Sequence, residues 1–302
     1  MARSLALLVC FGQAYLTAAV LKPINLRPDF DHDRWNTQPK EIVRAFEAYV
    51  SSFDGPDDDD GDGAPDLLGV PQWVSYEIKA LTNTCPDGVL PKFKRPPRWM
   101  TDGDLFARGW APDDESYHYA KAFRDRFPDS AQILYDRGHL CMKLAASRLG
   151  EAADWNTHTF LNACPQRKEM NEGIWLDLEM KTLEWADRFG RIWVICGPLF
   201  DWKKVRRFLG ESNEFKVAIP DSFFKVVIRE GAPPTGPLQE IPPIVLAFIY
   251  PQEIQRQKGG YRHEPYLTSI GDVEARSGLR FFGHCGPRDH LAIASGKATS
   301  LW

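Results

Sequence analysis

Four short apolar runs along the chain have the character of buried β-strands. They are VPQWVSYEI at 70–78, RIWVICGP at 191–198, FFKVVI at 223–228 and PIVLAFIY at 243–250. Each run is rich in β-branched and aromatic residues, as buried strands are. The runs do not alternate regularly with helical segments, so the pattern predicts an α+β fold instead of a doubly wound parallel sheet.

Helical periodicity is clearest over residues 171–189, where apolar residues recur on one face and Gly190 provides a natural end. A similar spacing of apolar residues predicts a helix over 40–53. Shorter helices are expected at 117–127 and at 272–277. No internal repeat is present, so these elements describe a single non-repetitive fold.

The composition is that of a globular protein with a buried core. The chain has 302 residues, of which 43% are hydrophobic and 26% are charged. These values exclude a disordered, collagen-like or coiled-coil chain. Beyond the N-terminus, no apolar run is long enough to span a bilayer.

The first 19 residues resemble a secretory signal peptide. Arg3 precedes an apolar stretch over 5–11, and small residues within 12–19 provide two candidate cleavage sites. We therefore expect a secreted or periplasmic protein with no membrane attachment after cleavage. An N-terminal core helix and a membrane anchor are the alternative interpretations.

The cysteines do not form the regular pattern of a disulfide framework. Of the six, Cys10 would leave with the signal peptide, and the absence of a CxxC motif argues against zinc. Cys141, Cys164 and Cys196 lie among apolar residues and are expected to be buried thiols. Only Cys85 and Cys285 lie in loop-like segments where they could pair.

An acidic segment over 54–66 carries seven Asp residues and no base. Because the net charge of the whole chain is only −4, the remainder is net positive, which leaves room for a basic face. Four of the carboxylates have the spacing of a calcium-binding loop, although Gly69 stands where such loops have a bidentate Glu. The segment is therefore either a structural Ca²⁺ site or a solvated acidic linker. The four candidate ligands are Asp58, Asp60, Asp62 and Asp66.

Candidate catalytic chemistry begins with YDRGH at 135–139, which places a histidine at the end of a predicted strand. A neutral imidazole with a pKa of about 6.5 can accept a proton at physiological pH. Gly138 permits a close approach beside His139. Arg137 can hold a phosphate, and Asp136 can orient Arg137.

A second group of polar residues follows in LNACPQ and MNEGIWLDLE. Asn162 belongs to a short strand expected around 159–163 and ended by Pro165. Asn171 opens the predicted long helix, and Glu179 lies two turns later, at about 80° from it on a regular helix. An amide oxygen and a carboxylate acting through water suit a hard cation such as Mg²⁺. Taken singly, the first is equally a helix cap and the second a solvated helix residue.

In this order and spacing, YDRGH, TFLNACPQ, MNEGIWLDLE and WVICGPLF resemble the DNA/RNA non-specific endonuclease family of the endonuclease G type. Weaker agreement extends over most of 70–282. The resemblance implies a central antiparallel sheet flanked by helices, with a ββα-metal motif at the active site. It also implies an N-terminal extension over 20–66, an endonuclease domain over 67–290 and a C-terminal tail over 291–302.

The resemblance implies a role for each candidate residue. His139 would be the general base, Asn171 the direct ligand of Mg²⁺ or Mn²⁺, and Glu179 a ligand through metal-bound water. Asn162 would position the site, and Arg137 would support the phosphate.

Two further positions bear on the resemblance. Arg98 lies near the place where family members often carry an upstream arginine of the active site. Leu183 stands where many members have an arginine one turn after the glutamate, which bears on the rate or on the contact to the substrate phosphate. Lys181 could substitute, but it projects differently.

The reaction that follows from the resemblance is hydrolysis of DNA and RNA phosphodiester bonds with little sequence preference, giving 5′-phosphate ends. Many family members are homodimers. Two alternatives remain: a nuclease restricted to one nucleic acid, and a nuclease-fold binding or calcium-dependent surface protein without turnover.

Overall fold

The computed structural model describes residues 19–35, 42–57, 66–117, 135–231, 243–254, 257 and 259–302. Within these residues the protein combines a large antiparallel sheet with short helices, so the predicted α+β fold is confirmed. Seven strands of the described chain form the main sheet in the order β1-β2-β3-β6-β9-β10-β11. These strands are β1 (Ile42–Ala45), β2 (Val50–Phe53), β3 (Pro71–Lys79), β6 (Arg191–Leu199), β9 (Ser222–Glu230), β10 (Pro243–Pro251) and β11 (Leu267–Thr268).

Two small ribbons and eight helices complete the described residues. The first ribbon pairs β4 (Tyr135–His139) with β5 (Ala163–Arg167), and the second pairs β7 (Phe208–Leu209) with β8 (Val217–Ala218). The helices are α1 (Leu81–Thr84), α2 (Gly103–Ala107), α3 (Lys143–Ser147), α4 (Glu151–Trp155), α5 (Lys168–Met170), α6 (Leu176–Phe189), α7 (Ile270–Ser277) and α8 (Pro287–Ser295). None of these helices is long and apolar enough to cross a membrane.

The main sheet is covered on both faces, which explains why its central strands are continuous apolar runs. Along β6, Val194 and Cys196 pack into one hydrophobic cluster, while Trp193 and Ile195 pack into another on the opposite face. Successive residues of a strand point to opposite faces, so a strand buried on both sides has no polar alternation. The strands predicted at 70–78, 191–198, 223–228 and 243–250 are confirmed as β3, β6, β9 and β10.

The helix predicted over 40–53 is wrong, because this segment forms the hairpin of β1 and β2. Val50 pairs with Ala45 in β1 and with Ser75 in β3, so the hairpin extends the main sheet. Phe46 and Tyr49 stack across the turn with their ring centroids 4.5 Å apart. The segment assigned to the N-terminal extension therefore contributes strands to the main sheet. The domain boundaries themselves stay a prediction.

Two helices match the sequence pattern closely. The long helix predicted from 171 begins as α6 only at Leu176, after a kinked turn over Asn171–Trp175, and it ends as predicted at Phe189, followed by Gly190 at a positive φ of 86°. The helix predicted at 272–277 is α7, which begins with a capping box between Ser269 and Asp272. The helix expected at 117–127 lies outside the described residues except for Tyr117, which belongs to a short 3₁₀ turn.

None of the five cysteines after residue 18 forms a disulfide within the described structure. Cys141, Cys164 and Cys196 are buried, as predicted. The pairing of Cys85 with Cys285 is wrong. Cys85 is itself buried and lies 3.7 Å from the carbonyl oxygen of Arg148, whereas Cys285 packs against the hydrophobic cluster on the opposite face of the sheet. The predicted signal peptide over 1–19 lies outside the described residues except for residue 19.

Candidate functional site

Two strands and a helix bring the candidate residues together. β4 and β5 pair in antiparallel fashion, with His139 opposite Ala163, and the chain then passes directly into α5 and α6. The indole N–H of Trp175 donates to the carbonyl oxygen of His139 at 3.2 Å, which fastens the start of the helical segment to the end of β4. This is the ββα arrangement that the resemblance implied.

The strand predicted around 159–163 is displaced along the chain. Residues Phe160–Asn162 form a 3₁₀ turn, and β5 begins only at Ala163 and continues through Pro165. A proline is tolerated here because β5 pairs with a single strand and needs no hydrogen bond from that position on its other edge. Pro165 therefore does not end the strand.

The side chain of Gln166 requires a glycine at position 138. A Cβ at this position would collide with the amide group of Gln166, which packs over the glycine from the opposite strand. The glycine in the motif therefore lets β4 and β5 pair closely beside His139.

His139 lies at the end of β4 in a half-buried position among aromatic rings. Its ring centroid is 4.8 Å from that of Trp99 and 4.9 Å from that of His158. Burial lowers the pKa of His139 well below its usual value, and His158, Arg95 and Lys143 lower it further. The imidazole is therefore neutral at physiological pH, and no described residue bonds to its buried Nε2. A neutral imidazole has one unprotonated ring nitrogen, and the lone pair of that nitrogen can accept a proton.

Asn171 is held by Asp136 and is not the N-cap of the helical segment that follows it. Its amide nitrogen donates to the Asp136 carboxylate at 3.0 Å, which leaves the amide oxygen of Asn171 for another partner. The residue begins a π-helical turn over Asn171–Trp175 that is kinked at Gly173. Single π-turns inside helices are frequent at functional sites. The angle of about 80° between Asn171 and Glu179 on a regular helix does not apply across this kink.

The Asp136 carboxylate thus serves Asn171, and the expectation that it would orient Arg137 is wrong. Arg137 instead donates to the carbonyl oxygen of Asp114 at 2.8 Å and pairs with the Asp114 carboxylate at 3.0 Å. Its guanidinium also lies 5.4 Å from the ring centroid of Tyr117. The support of a phosphate by Arg137 stays a prediction.

Glu179 is buried and paired with a fully buried cation, so it is not a solvated helix residue. The Nζ atom of Lys225, on β9, lies 3.6 Å from Oε1 of Glu179, and the lysine side chain is 0% exposed. The same Nζ lies 3.7 Å from the ring centroid of Trp175. Burial raises the pKa of Glu179, whereas Lys225 opposes that shift. Lys225 therefore favours the ionised carboxylate.

Lys225 also provides a positive charge beside Glu179, where the family resemblance would place an arginine at position 183. Leu183 is buried in the core one turn after Glu179. Lys181 pairs with Asp177 at 3.8 Å. The positive charge beside Glu179 comes instead from β9, in the middle of an apolar strand.

Asn162 is fully buried, and its side-chain amide bonds only to backbone groups. Its oxygen accepts from the Cys141 amide at 2.7 Å, and its nitrogen donates to the carbonyl oxygens of Cys141 and Thr157 at 2.9 Å each. The backbone carbonyl of Asn162 also accepts from the amide of Leu140. These bonds fix the segment that follows His139, which supports a positioning role.

Arg95 was missed in the sequence, and its positive charge lowers the pKa of both His139 and His158. Arg95 and Arg98 are both exposed. No sequence signal distinguishes Arg95 from Arg98 in the segment KRPPRW. The role of Arg98 stays a prediction.

The residues present fit a hard divalent cation. The amide oxygen of Asn171, which Asp136 leaves unused, and the carboxylate of Glu179 are the kind of oxygen ligands that Mg²⁺ prefers. In the described chain no group of three or more His, Cys, Asp or Glu residues could form a metal cluster. A site of one amide and one carboxylate does not need such a cluster, because Mg²⁺ keeps most of its waters.

The candidate calcium loop falls mostly outside the described residues, which omit Asp58, Asp60 and Asp62. Asp66 is described, and its carboxylate lies 2.5 Å from the guanidinium of Arg206. One of the four candidate ligands is therefore already paired with a cation.

Comparison with known proteins identifies relatives over most of the chain. The model of the DNA/RNA non-specific endonuclease family matches residues 62–289. The human mitochondrial nuclease EXOG is 30% identical over 214 residues, covering 63% of this chain and 53% of EXOG. Human mitochondrial endonuclease G is 28% identical over 202 residues, covering 61% of this chain and 63% of its own length. A nuclease of Serratia marcescens is 25% identical over 213 residues, covering 68% of this chain and 66% of the relative.

A solved structure shares the fold. A chain in the crystal structure of the EndoG/EndoGI complex, described as showing the mechanism of EndoG inhibition, superposes with a TM-score of 0.63 at 18% identity. The match covers 85% of this chain and 92% of that one, and it confirms the predicted fold class. Among the curated relatives, the chain spans 53% of human EXOG and 42% of the Danio rerio EXOG.

Proposed function

The chain belongs to the DNA/RNA non-specific endonuclease family, and we propose that it is a metal-dependent hydrolase that cleaves phosphodiester bonds inside DNA and RNA with little sequence preference. The observation that carries this proposal is the neutral imidazole of His139, fastened through Trp175 to the helical segment that bears Asn171 and Glu179. A proton acceptor beside oxygen ligands for a divalent cation is what phosphodiester hydrolysis requires.

Each residue has a distinct task in this proposal. His139 takes the proton of the attacking water at its Nε2 atom. Asn171, oriented by Asp136, would hold the metal through its amide oxygen, and Glu179, whose ionised form Lys225 favours, would hold a water of the metal. Mg²⁺, or Mn²⁺ in its place, would supply charge neutralisation at the phosphate and at the leaving oxygen.

The proposed products carry 5′-phosphate ends, and no step requires contact with base edges. Phosphate contacts provide affinity without sequence information, which fits a substrate range of both DNA and RNA. A nuclease restricted to one nucleic acid is the second candidate, since Leu183 removes a charge that many family members place beside the glutamate. A binding protein without turnover is disfavoured because His139, Asn171 and Glu179 are all present and placed on one ββα unit.

The test is cleavage of supercoiled plasmid DNA and of a structured RNA, in Mg²⁺ and in EDTA. We expect cleavage of both substrates only with the metal. The variant His139→Ala should lose activity by about 10²–10⁴-fold, the contribution of a general base. His284→Ala is the matched control, because His284 is exposed and contacts Trp35 in the other hydrophobic cluster.

Two outcomes would contradict the assignment. Cleavage by wild-type protein that persists in EDTA would remove the metal from the reaction. A folded His139→Ala variant that keeps more than a tenth of the wild-type rate would remove His139 as the base.

Location and assembly complete the proposal. We propose export to the periplasm or outside the cell, supported by the N-terminal sequence pattern, and a homodimer in solution. N-terminal sequencing of protein purified from the producing cell tests the export. Signal cleavage predicts that the mature protein begins within residues 12–20. Light scattering on a sizing column tests the second.

A further inference from the structure

We propose that His158 is a second imidazole of the candidate site, beside His139, and that its Nε2 atom accepts a hydrogen bond from a hydroxyl group, either that of a bound water or a sugar hydroxyl of the nucleic acid. The inference deepens the proposed nuclease function and rests on it. It concerns a residue in the loop DWNTHTF, which no motif in the sequence singles out.

The fold places His158 directly beside His139. The two ring centroids are 4.9 Å apart with the planes nearly perpendicular, and Trp99 contacts both rings at 4.8 and 5.4 Å. The backbone holds this arrangement, because the amide of Met100 donates to the carbonyl oxygen of His158 at 2.9 Å. His158 therefore faces the proposed base from a rigid position.

The hydrogen bonds determine which nitrogen of His158 carries the proton. The hydroxyl of Thr157 donates to the carbonyl oxygen of Asp154 at 2.7 Å, so its hydrogen is already used. The same oxygen lies 3.3 Å from Nδ1 of His158 and can only accept there. The proton of the neutral ring is therefore on Nδ1, and Nε2 carries a bare lone pair.

The charges around His158 keep it in this neutral form. Burial, followed by the positive charge of Arg95, lowers the pKa of His158 to about 4. Lys143 lowers it further and Asp154 raises it, but Lys143 lies 2.5 Å from the Asp154 carboxylate, so these two charges largely offset each other. At neutral pH the residue is an acceptor.

The Nε2 atom is buried and has no hydrogen-bond partner among the described residues, in a side chain that is only 2% exposed. A buried acceptor left unpaired destabilises the folded protein, so such an atom calls for a donor. An anionic phosphate oxygen is repelled by a lone pair, which excludes the phosphate group itself. A hydroxyl group can donate a hydrogen bond. The proposed reaction brings two such donors to this site, namely water and the sugar hydroxyl groups of the nucleic acid.

The experiment compares His158→Phe with His158→Gln on single-stranded DNA and RNA of one sequence. Phenylalanine keeps a ring against Trp99 and removes the acceptor, whereas glutamine retains an acceptor oxygen. We expect His158→Phe to lose roughly five- to tenfold in cleavage, the effect of one neutral hydrogen bond, and His158→Gln to recover part of it. Equal loss of kcat on both substrates identifies the water, and loss of kcat/KM on RNA alone identifies the ribose 2′-hydroxyl.

A second measurement does not depend on turnover or on the variants folding. Nitrogen-15 NMR of the histidines in the wild-type protein should show a protonated Nδ1 and an unprotonated Nε2 for His158 at pH 7.5. In EDTA, adding a single-stranded RNA oligonucleotide should shift the Nε2 resonance if the ribose 2′-hydroxyl binds there, and should leave it in place if the partner is water.

The proposal is overturned if Nε2 carries the proton, or if folded His158→Phe cleaves both substrates at the wild-type rate. An inactive wild-type protein would refute the nuclease function instead, and the NMR measurement would then still report on the tautomer of His158.

Discussion

Replacing Lys225 with methionine tests whether the buried charge beside Glu179 is a structural necessity. Lys225 is fully buried, and its ammonium group faces the Glu179 carboxylate at 3.6 Å and the Trp175 ring at 3.7 Å. Methionine has a similar length and no charge, so Lys225→Met leaves the packing and removes only the counter-charge. The remaining carboxylate is then a buried charge without a partner.

The magnitude follows from the burial of both partners. Removing one member of a buried ion pair costs about 3–5 kcal/mol, because the other charge stays out of water. This is a large part of the total stability of a domain, which is about 5–15 kcal/mol. In Glu179→Gln protein no charge is left behind, so adding Lys225→Met there should cost at least about 2 kcal/mol less than in wild type.

Urea unfolding at pH 7.5 of the wild type, both single variants and the double variant measures this difference. Lys181→Met is the matched control, because Lys181 pairs with Asp177 at 3.8 Å on the exposed side of the same helix. Its loss should cost less than about 1 kcal/mol. Equal costs of Lys225→Met in the two backgrounds would refute the coupling between Lys225 and Glu179.

Three further predictions concern the metal, the acid stability and the acidic segment. Asn171→Ala should weaken Mg²⁺ binding, with activity partly restored by raised Mg²⁺, and an unchanged metal titration would remove Asn171 from the ligands. His32 donates to the carbonyl oxygen of Glu47 through Nε2 and accepts from the amide of Glu77 at Nδ1, so its neutral form is built into the fold and its pKa is lowered to about 4. In the unfolded chain this histidine binds a proton with a pKa of about 6.5, so the free energy of unfolding should fall as the pH drops from about 6.5 towards about 4. His32 should account for up to about 3 kcal/mol of this fall. The free energy of unfolding of His32→Gln, measured over the same pH range, should depend less on pH. If the segment over 54–66 binds Ca²⁺, millimolar Ca²⁺ should raise the melting temperature of the wild type but not of a variant with Asp60→Ala and Asp62→Ala; the same melting temperature with and without Ca²⁺ in the wild type would favour the solvated linker.

The elements that the sequence predicts well are those whose pattern has one physical cause. β6 and β9 are largely apolar because both of their faces are covered, and α6 shows one apolar face because only one side packs on the sheet. The helix prediction for 40–53 was wrong because Ile42, Phe46 and Val50 fit a helical spacing and also fit a hairpin with a turn after Phe46. Pairing of β2 with β3 decides between them, and that contact is not encoded within the segment itself.

The candidate site divides in the same way. The candidate residues His139, Asn171 and Glu179 can be named through the family resemblance, because the motifs that carry them belong to one ββα unit of consecutive chain. Trp99 and Arg95 come from a loop about 40 residues earlier in the chain. The bridge between Met100 and Thr159 brings that loop to the site, and no periodicity in the sequence indicates such a contact.

The two buried groups that the sequence analysis overlooked differ in how far they could have been anticipated. Lys225 stands in a strand that is otherwise apolar, and a lysine is almost never fully buried unless it is paired. A buried acidic partner for Lys225 was therefore predictable. The helix that carries Glu179 has one apolar face, so an acidic residue on that helix was a candidate for this partner. A neutral histidine needs only a hydrogen bond, which Thr157 provides to His158 from the adjacent position. Because that bond comes from the adjacent residue, the sequence does not indicate what surrounds Nε2 of His158. Only the packing of the ring against Trp99 and His139 in the folded structure shows it.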